Sequence, residues 1–309
     1  MRPVAAIDCG TNSTRLLVLD ASGRTLDRRM RITRLGQGVD ASGRITVEAI
    51  GRVVDVLREY RTAMVEHGVR TTDARLFATS AARDAANRDE LFTALGDAVG
   101  VEPELLAGEA EARLSFLGAT ADLAPGPGPV LVVDIGGGST ELVVGDPGHE
   151  PIDATSLDVG CVRLSERWFE ADPPGPEALA NAIGEVRDAL ADSDVLHPAL
   201  ATAERFVGVA GTITTVAALD QGLVDYDRDA IHHYDLSREA AEDWFRTMAM
   251  SGREDRLGNP GLEEARADVI VGGMCVLQAI FRHYDLDRCL VSEADILDGV
   301  AASLRSGMA

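Results

Sequence analysis

Lysine does not occur in this sequence; all 29 basic residues are arginine. Its absence excludes a P-loop lysine, a lysine base and a Schiff-base lysine. Long apolar runs are missing as well. None approaches 18 uninterrupted residues, so no membrane span and no membrane partner are expected. Asp8 interrupts the first apolar run, and no leader with a cleavage site is read at the N-terminus. Cysteine is scarce: Cys9, Cys161, Cys275 and Cys289 are scattered, with no CxxC pair. That spacing argues against a zinc site and a disulfide framework, and it points to the reducing cytoplasm. Positive charge is outnumbered, leaving a formal net charge of −22. Such a surface repels nucleic acid and anionic membrane at long range, so neither is expected as a partner.

One motif is present twice. Residues 5–19 read AAIDCGTNSTRLLVL and residues 131–145 read LVVDIGGGSTELVVG. With Asp8 set on Asp134, Gly10 falls on Gly136, Ser13 on Ser139 and Thr14 on Thr140. One matched position changes sign, Arg15 against Glu141. The stretch ADLAPGPGPV, 121–130, separates the copies and reads as a linker. Strands are expected at 4–9, 14–20 and 24–34, then again at 130–135, 140–145 and near 152–158. Helical spacing follows the third strand of each set. Asn87 with Glu90 three residues on reads as a helix cap. The alternation predicts two α/β domains, 1–124 and 125–294, with a final helix at about 295–309 able to pack back on the first.

A strand ending in Asp, then a glycine turn with hydroxyls, then a second apolar strand describes a tight hairpin. Glycine permits positive φ and close approach of a ligand. Successive N–H groups and hydroxyls make an anion site. Gly10, Thr11, Asn12 and Ser13 would form one, and Gly136, Gly137, Gly138, Ser139 and Thr140 the other. Asp8 and Asp134, at the strand ends, could hold a divalent cation. Gly211 and Thr212 in VAGTITTVAAL add a third such turn at a helix start. Glu109 and Glu111 lie two apart on a helix, about 200° around its axis, so they cannot share one site. His232 and His233 invite a metal reading, but neighbours on a strand point to opposite faces, which argues against a shared role.

The motifs IDCGTNSTRLLV, ATSAARDAANRDE, GEAEARLSFLG, VVDIGGGSTELVV, VGVAGTITTVAAL, RADVIVGG and VSEADILDG occur in order from residue 4 to about residue 300. Together they resemble the exopolyphosphatase / guanosine pentaphosphate phosphohydrolase family of the actin-like ATPase superfamily. The resemblance implies two actin-like (ribonuclease H-like) ATPase domains with a cleft between them, in the short, two-domain form. It implies Mg²⁺, with Mn²⁺ as a substitute, and a homodimer. It selects Glu111 as the carboxylate that activates water, and Glu141 as a second active-site carboxylate and metal ligand beside Asp8 and Asp134. Arg83 matches a phosphate-contacting arginine, and a guanidinium fork suits that task. Arg15 would add positive charge beside the substrate.

The expected activity is hydrolysis of terminal phosphoanhydride bonds of inorganic polyphosphate, releasing orthophosphate. Guanosine pentaphosphate remains an open alternative substrate. An actin-type nucleotide switch would need a base pocket and a self-association surface that the sequence does not display. A sugar or acetate kinase on the same fold would need a phosphate acceptor. The strong acidity should slow capture of long polyanions, which favours short chains or a discrete nucleotide.

Overall fold

The computed structural model describes residues 2–124 and 126–306. Pro125 of the expected linker, and 307–309 of the expected final helix, lie outside the described residues. The chain divides into two compact units, Met1–Gly118 with Ile296–Ala309, and Ala119–Asp295.

In the first unit, β1 (Val4–Cys9), β2 (Ser13–Leu19) and β3 (Thr25–Ile32) form an antiparallel meander. β4 (Ala74–Ala78) and β5 (Pro103–Leu105) then run parallel to β1, giving the order β3-β2-β1-β4-β5. Helices Val47–Glu66 and Arg88–Val99 supply the crossovers that parallel pairing requires. Residues of β1 alternate between two cores, as the period of a strand demands. Ala5, Ile7 and Cys9 pack with Leu57, Tyr60 and Leu91. Val4 and Ala6 pack on the opposite face with Ile296, Leu297 and Val300. The helix Ile296–Ser306 therefore belongs to the first unit, although the second unit intervenes in the chain. Gly299 lets it press against the backbone of Leu114, and Arg28 binds Asp298 at 2.5 Å.

The second unit repeats the plan. β6 (Val130–Ile135), β7 (Thr140–Gly145) and β8 (Asp153–Leu157) are antiparallel. β9 (Arg205–Val209) lies parallel to β6. β10 (Asp235–Ser237) and β11 (Arg288–Val291) complete the order β10-β11-β9-β6-β7-β8. Apart from the added edge strand β10, this is the order of the first sheet. The helix Ile270–His283 is buried from Ile270 through Phe281, which explains its nearly continuous apolar sequence.

Two short strands and one helix were not expected, and one expected cap changes. β5 and β10 have three residues each and carry no periodic signal. The helix Arg238–Met250, capped by the Ser237 hydroxyl, follows β10 and was not among the expected elements. Asn87 precedes its helix but does not cap it. Its amide instead holds Ile45 from both sides, accepting from the Ile45 N–H and donating to the Ile45 carbonyl, each at 2.9 Å.

Candidate active site

Both repeated turns close identically. Gly10 N–H donates to the Ser13 carbonyl at 3.0 Å, and Gly136 N–H donates to the Ser139 carbonyl at 3.0 Å. Neither glycine uses positive φ. A side chain there would crowd the Ser13 or Ser139 carbonyl, at 3.2 and 3.0 Å, so close packing is the reason for glycine.

The sign change sits directly across each strand pair from the shared aspartate. Asp8 is paired in register with Arg15, and Asp134 with Glu141. Opposed residues of an antiparallel pair share one face of the sheet at about 5 Å. In the first unit this gives an ion pair: Arg15 reaches Asp8 Oδ2 with Nε at 2.9 Å and a terminal nitrogen at 2.5 Å. Arg15, expected to add positive charge beside the substrate, is held by the aspartate of its own hairpin. Asp8, expected at the metal, meets Arg15 through Oδ2 alone. In the second unit two buried carboxylates face one another, and Ser156 donates to Glu141 Oε1 at 2.8 Å. Facing carboxylates raise one another's energy, which a divalent cation held by both relieves. Hard oxygen donors of this kind suit Mg²⁺ or Mn²⁺, so Asp134 and Glu141 fit the metal that the sequence leads one to expect.

Glu111 lies buried in the first turn of the helix Gly108–Thr120, whereas Glu109 is exposed. Arg83 donates to Glu111 Oε2 at 2.7 Å and to the Leu106 carbonyl at 3.0 Å. Arg83 sits on the short helix Ser80–Asp84, where Ala81 N–H donates to the Thr11 hydroxyl at 3.3 Å. One connected network thus joins the Gly10–Ser13 turn, Arg83 and Glu111.

Two of the expected phosphate hydroxyls face inward. Thr140 is fully buried and donates to the Val159 carbonyl at 2.7 Å. Thr212 is buried against Gly273 and hydrogen-bonds the Cys161 thiol, which burial pushes up to about 11. The Thr140 hydroxyl is turned away from the phosphate role expected of it. Asn12 and Thr11 are buried and Ser13 is half-buried. At the third turn Ala210 adopts φ 69°, a strained value for a residue with a Cβ. The Arg266 guanidinium lies over Gly211, where any side chain would collide with it. Arg266 opens the RADVIVGG motif, in which no local pattern marks its place over this turn. His232 and His233 occupy a turn and not a strand. His233 has φ 63°, and the two rings stack at 3.9 Å beside Asp122. Glu293 N–H donates to His232 Nδ1 at 3.1 Å. That tautomer places the proton on Nε2, the nitrogen facing Asp122, which opposes a metal there.

A second duplication lies behind the turns. In the first unit the carbonyls of Thr11 and Asn12 accept from the N–H groups of Gly36, Thr33 and Arg34. In the second, Gly136 and Gly137 carbonyls accept from Cys161, Val162 and Arg163. Gly36 and Gly160 stand in matching places, each pressed against the turn it backs. Glycine was the available sequence signal, but the contact spans too many residues for a local pattern to display it.

This turn chemistry, built twice on matching α/β sheets, is that of a phosphate-handling protein, and the chain belongs to the Ppx/GppA phosphatase family, whose model matches residues 18–306. The protein is 43% identical to Exopolyphosphatase 2 of Mycobacterium tuberculosis, covering 97% of this chain and 98% of that one. Among solved structures, the Aquifex aeolicus PPX-GPPA enzyme superposes with a TM-score of 0.79 at 32% identity, over 98% of this chain and 99% of that one. An exopolyphosphatase from Cytophaga hutchinsonii superposes with a TM-score of 0.90 at 26% identity, over 99% and 98%. The expected fold class, two α/β domains each built on a mixed sheet, is the one observed, and the chain is a hydrolase of phosphoanhydride bonds.

Proposed function

We propose that the protein is an exopolyphosphatase that releases orthophosphate from the ends of inorganic polyphosphate. The observation carrying this reading is the network from the Gly10–Ser13 turn through Arg83 to Glu111. The kinship with Exopolyphosphatase 2 supports the choice of substrate. Glu111 accepts a proton from water as the water oxygen bonds to the terminal phosphorus. The bridging P–O bond breaks, and its electrons leave with the shortened chain. The amide N–H groups of each turn serve as a site for phosphoryl oxygens within its own unit, and Arg83 divides its donors between Glu111 and phosphate. Asp134 and Glu141 would hold the divalent cation, Mg²⁺ or Mn²⁺, which when bound neutralises phosphate charge.

Short chains are the preferred substrates in this reading, because a net charge of −22 disfavours capture of long polyanions. Four buried, unpaired cysteines support a cytoplasmic setting. A homodimer belongs to the same reading, on family resemblance. The net charge disfavours nucleic acid and anionic membrane as partners, and no described helix is long and apolar enough to cross a membrane.

The deciding experiment is orthophosphate release from size-fractionated polyphosphate and from guanosine pentaphosphate, side by side at equal Mg²⁺. A higher kcat/KM on guanosine pentaphosphate would overturn the choice of substrate. Glu111→Gln keeps the shape and removes the base, so kcat should fall about 10²–10⁴-fold. Retention of more than a tenth of kcat would exclude Glu111 as the base. Chelation should abolish hydrolysis, and Glu141→Gln should raise the Mg²⁺ concentration needed for half-maximal rate about tenfold or more. Full rate in metal-free buffer would remove the cation from the scheme.

A further inference from the structure

The carbonyls of the second turn are all held from one side. Gly136 accepts from Cys161 N–H at 3.0 Å, and Gly137 from Val162 and Arg163 N–H at 2.8 and 3.1 Å. The Gly138 carbonyl is held by a side chain: Arg163 donates to it from Nε at 2.7 Å. In a trans peptide the C=O and N–H point in opposite directions. Fixing these three carbonyls therefore turns the N–H groups of Gly137, Gly138 and Ser139 to the other side, where they form a concave anion site. The start of the helix Cys161–Trp168 is not itself the anion site, because its first N–H groups are directed at the turn.

The peptide joining Gly138 to Ser139 depends on Arg163 in a way the other two do not. Its carbonyl is the one held by a guanidinium, and a charged donor polarises the peptide and strengthens the N–H at the far end. In the first unit the arginine is one step removed. Arg52 there holds the carbonyls of Thr33 and Arg34, at 2.7 and 3.1 Å, and the backbone of 33–36 in turn holds the loop.

We propose that Arg163 is a positioning residue for substrate phosphate, acting through the Gly138–Ser139 peptide. The inference rests on the reading that residues 136–139 hold phosphate. It goes further in assigning part of that grip to a side chain behind the loop.

The experiment measures kcat and KM on polyphosphate of one defined length at fixed free Mg²⁺. It uses Arg163→Met, Arg163→Lys, Ser139→Ala and the Arg163→Met/Ser139→Ala double variant, with urea unfolding to verify the fold. Arg163→Met should raise KM about tenfold, the factor carried by one hydrogen bond of ordinary strength, with kcat changed less than about threefold. Arg163→Lys keeps the charge but puts a methylene where Nε–H stood, so it should behave like Met. It also supplies the answer if the Met variant does not fold. The double variant should be no worse than the weaker-binding single variant by more than about twofold, since the Ser139 hydroxyl is carried by the peptide that Arg163 holds. Wild-type KM in Arg163→Met beside a raised KM in Ser139→Ala would overturn the positioning role and leave the phosphate loop standing. Full recovery in Arg163→Lys would reduce Arg163 to a charge, and additive effects would separate it from the loop; either overturns the proposal. Wild-type KM in every variant would remove the loop reading itself, and the inference with it.

Discussion

Arg15 and Glu141 occupy equivalent places in two copies of one hairpin, and their opposite charges give the aspartates beside them opposite surroundings. Asp8 is 3% exposed and depends on the guanidinium across the strand pair. Arg15→Met should therefore cost about 3 kcal/mol, the low end for breaking a buried pair, because the Arg15 side chain is a fifth exposed. The Asp8→Asn/Arg15→Met double variant should recover most of that loss in urea unfolding. A single variant as stable as wild type would show that the pair contributes nothing. The aspartate and glycine pattern of this site was legible from residue order alone. The direction of its hydroxyls was not. Thr140 follows Ser139 in the same motif, yet strand alternation turns it inward to Val159, and that becomes visible only when the register is known.

Among elements, the long amphipathic ones were readable, and so were the duplicated strands. Helix Val47–Glu66 buries Val53, Leu57 and Met64 at helical spacing and stops at Gly68, whose φ is 70°. β5 and β10 were not readable, because three residues cannot display a period and their partners are far away in sequence. The backing of each turn by 33–36 and 160–163 was hidden for a related reason. It is made by backbone groups, which leave no signature beyond a glycine. Side-chain size tests the packing of the helix Ile296–Ser306 directly. Gly299→Ala would push a methyl into the backbone of Leu114 and should destabilise the protein by about 1–3 kcal/mol. An unchanged urea midpoint would mean that the helix shifts freely on its sheet.

For the whole molecule, charge sets the terms of encounter. A net charge of −22 repels a polyanion at a distance, although local donors attract it at contact. Raising ionic strength from about 0.01 to 0.15 M shortens the Debye length from about 30 to 8 Å and should relieve that repulsion. At constant free Mg²⁺, kcat/KM should rise or hold steady over that range. A steep fall would show that local attraction governs capture. The helix Ile296–Ser306 carries a different consequence, one of timing. During synthesis the ribosome releases residues 1–118 first, with Val4, Ala6, Leu17 and Phe77 facing a place that Leu106 and Leu114 cover in part and that Ile296, Leu297 and Val300 complete. At translation speeds of about 5–20 residues per second, the wait for those residues is on the order of ten seconds. The second unit, already complete in sequence, can fold during that interval. The amino-terminal half is thus the first to be made and the last to be closed, and its bare sheet face is where a nascent-chain chaperone would be expected to bind.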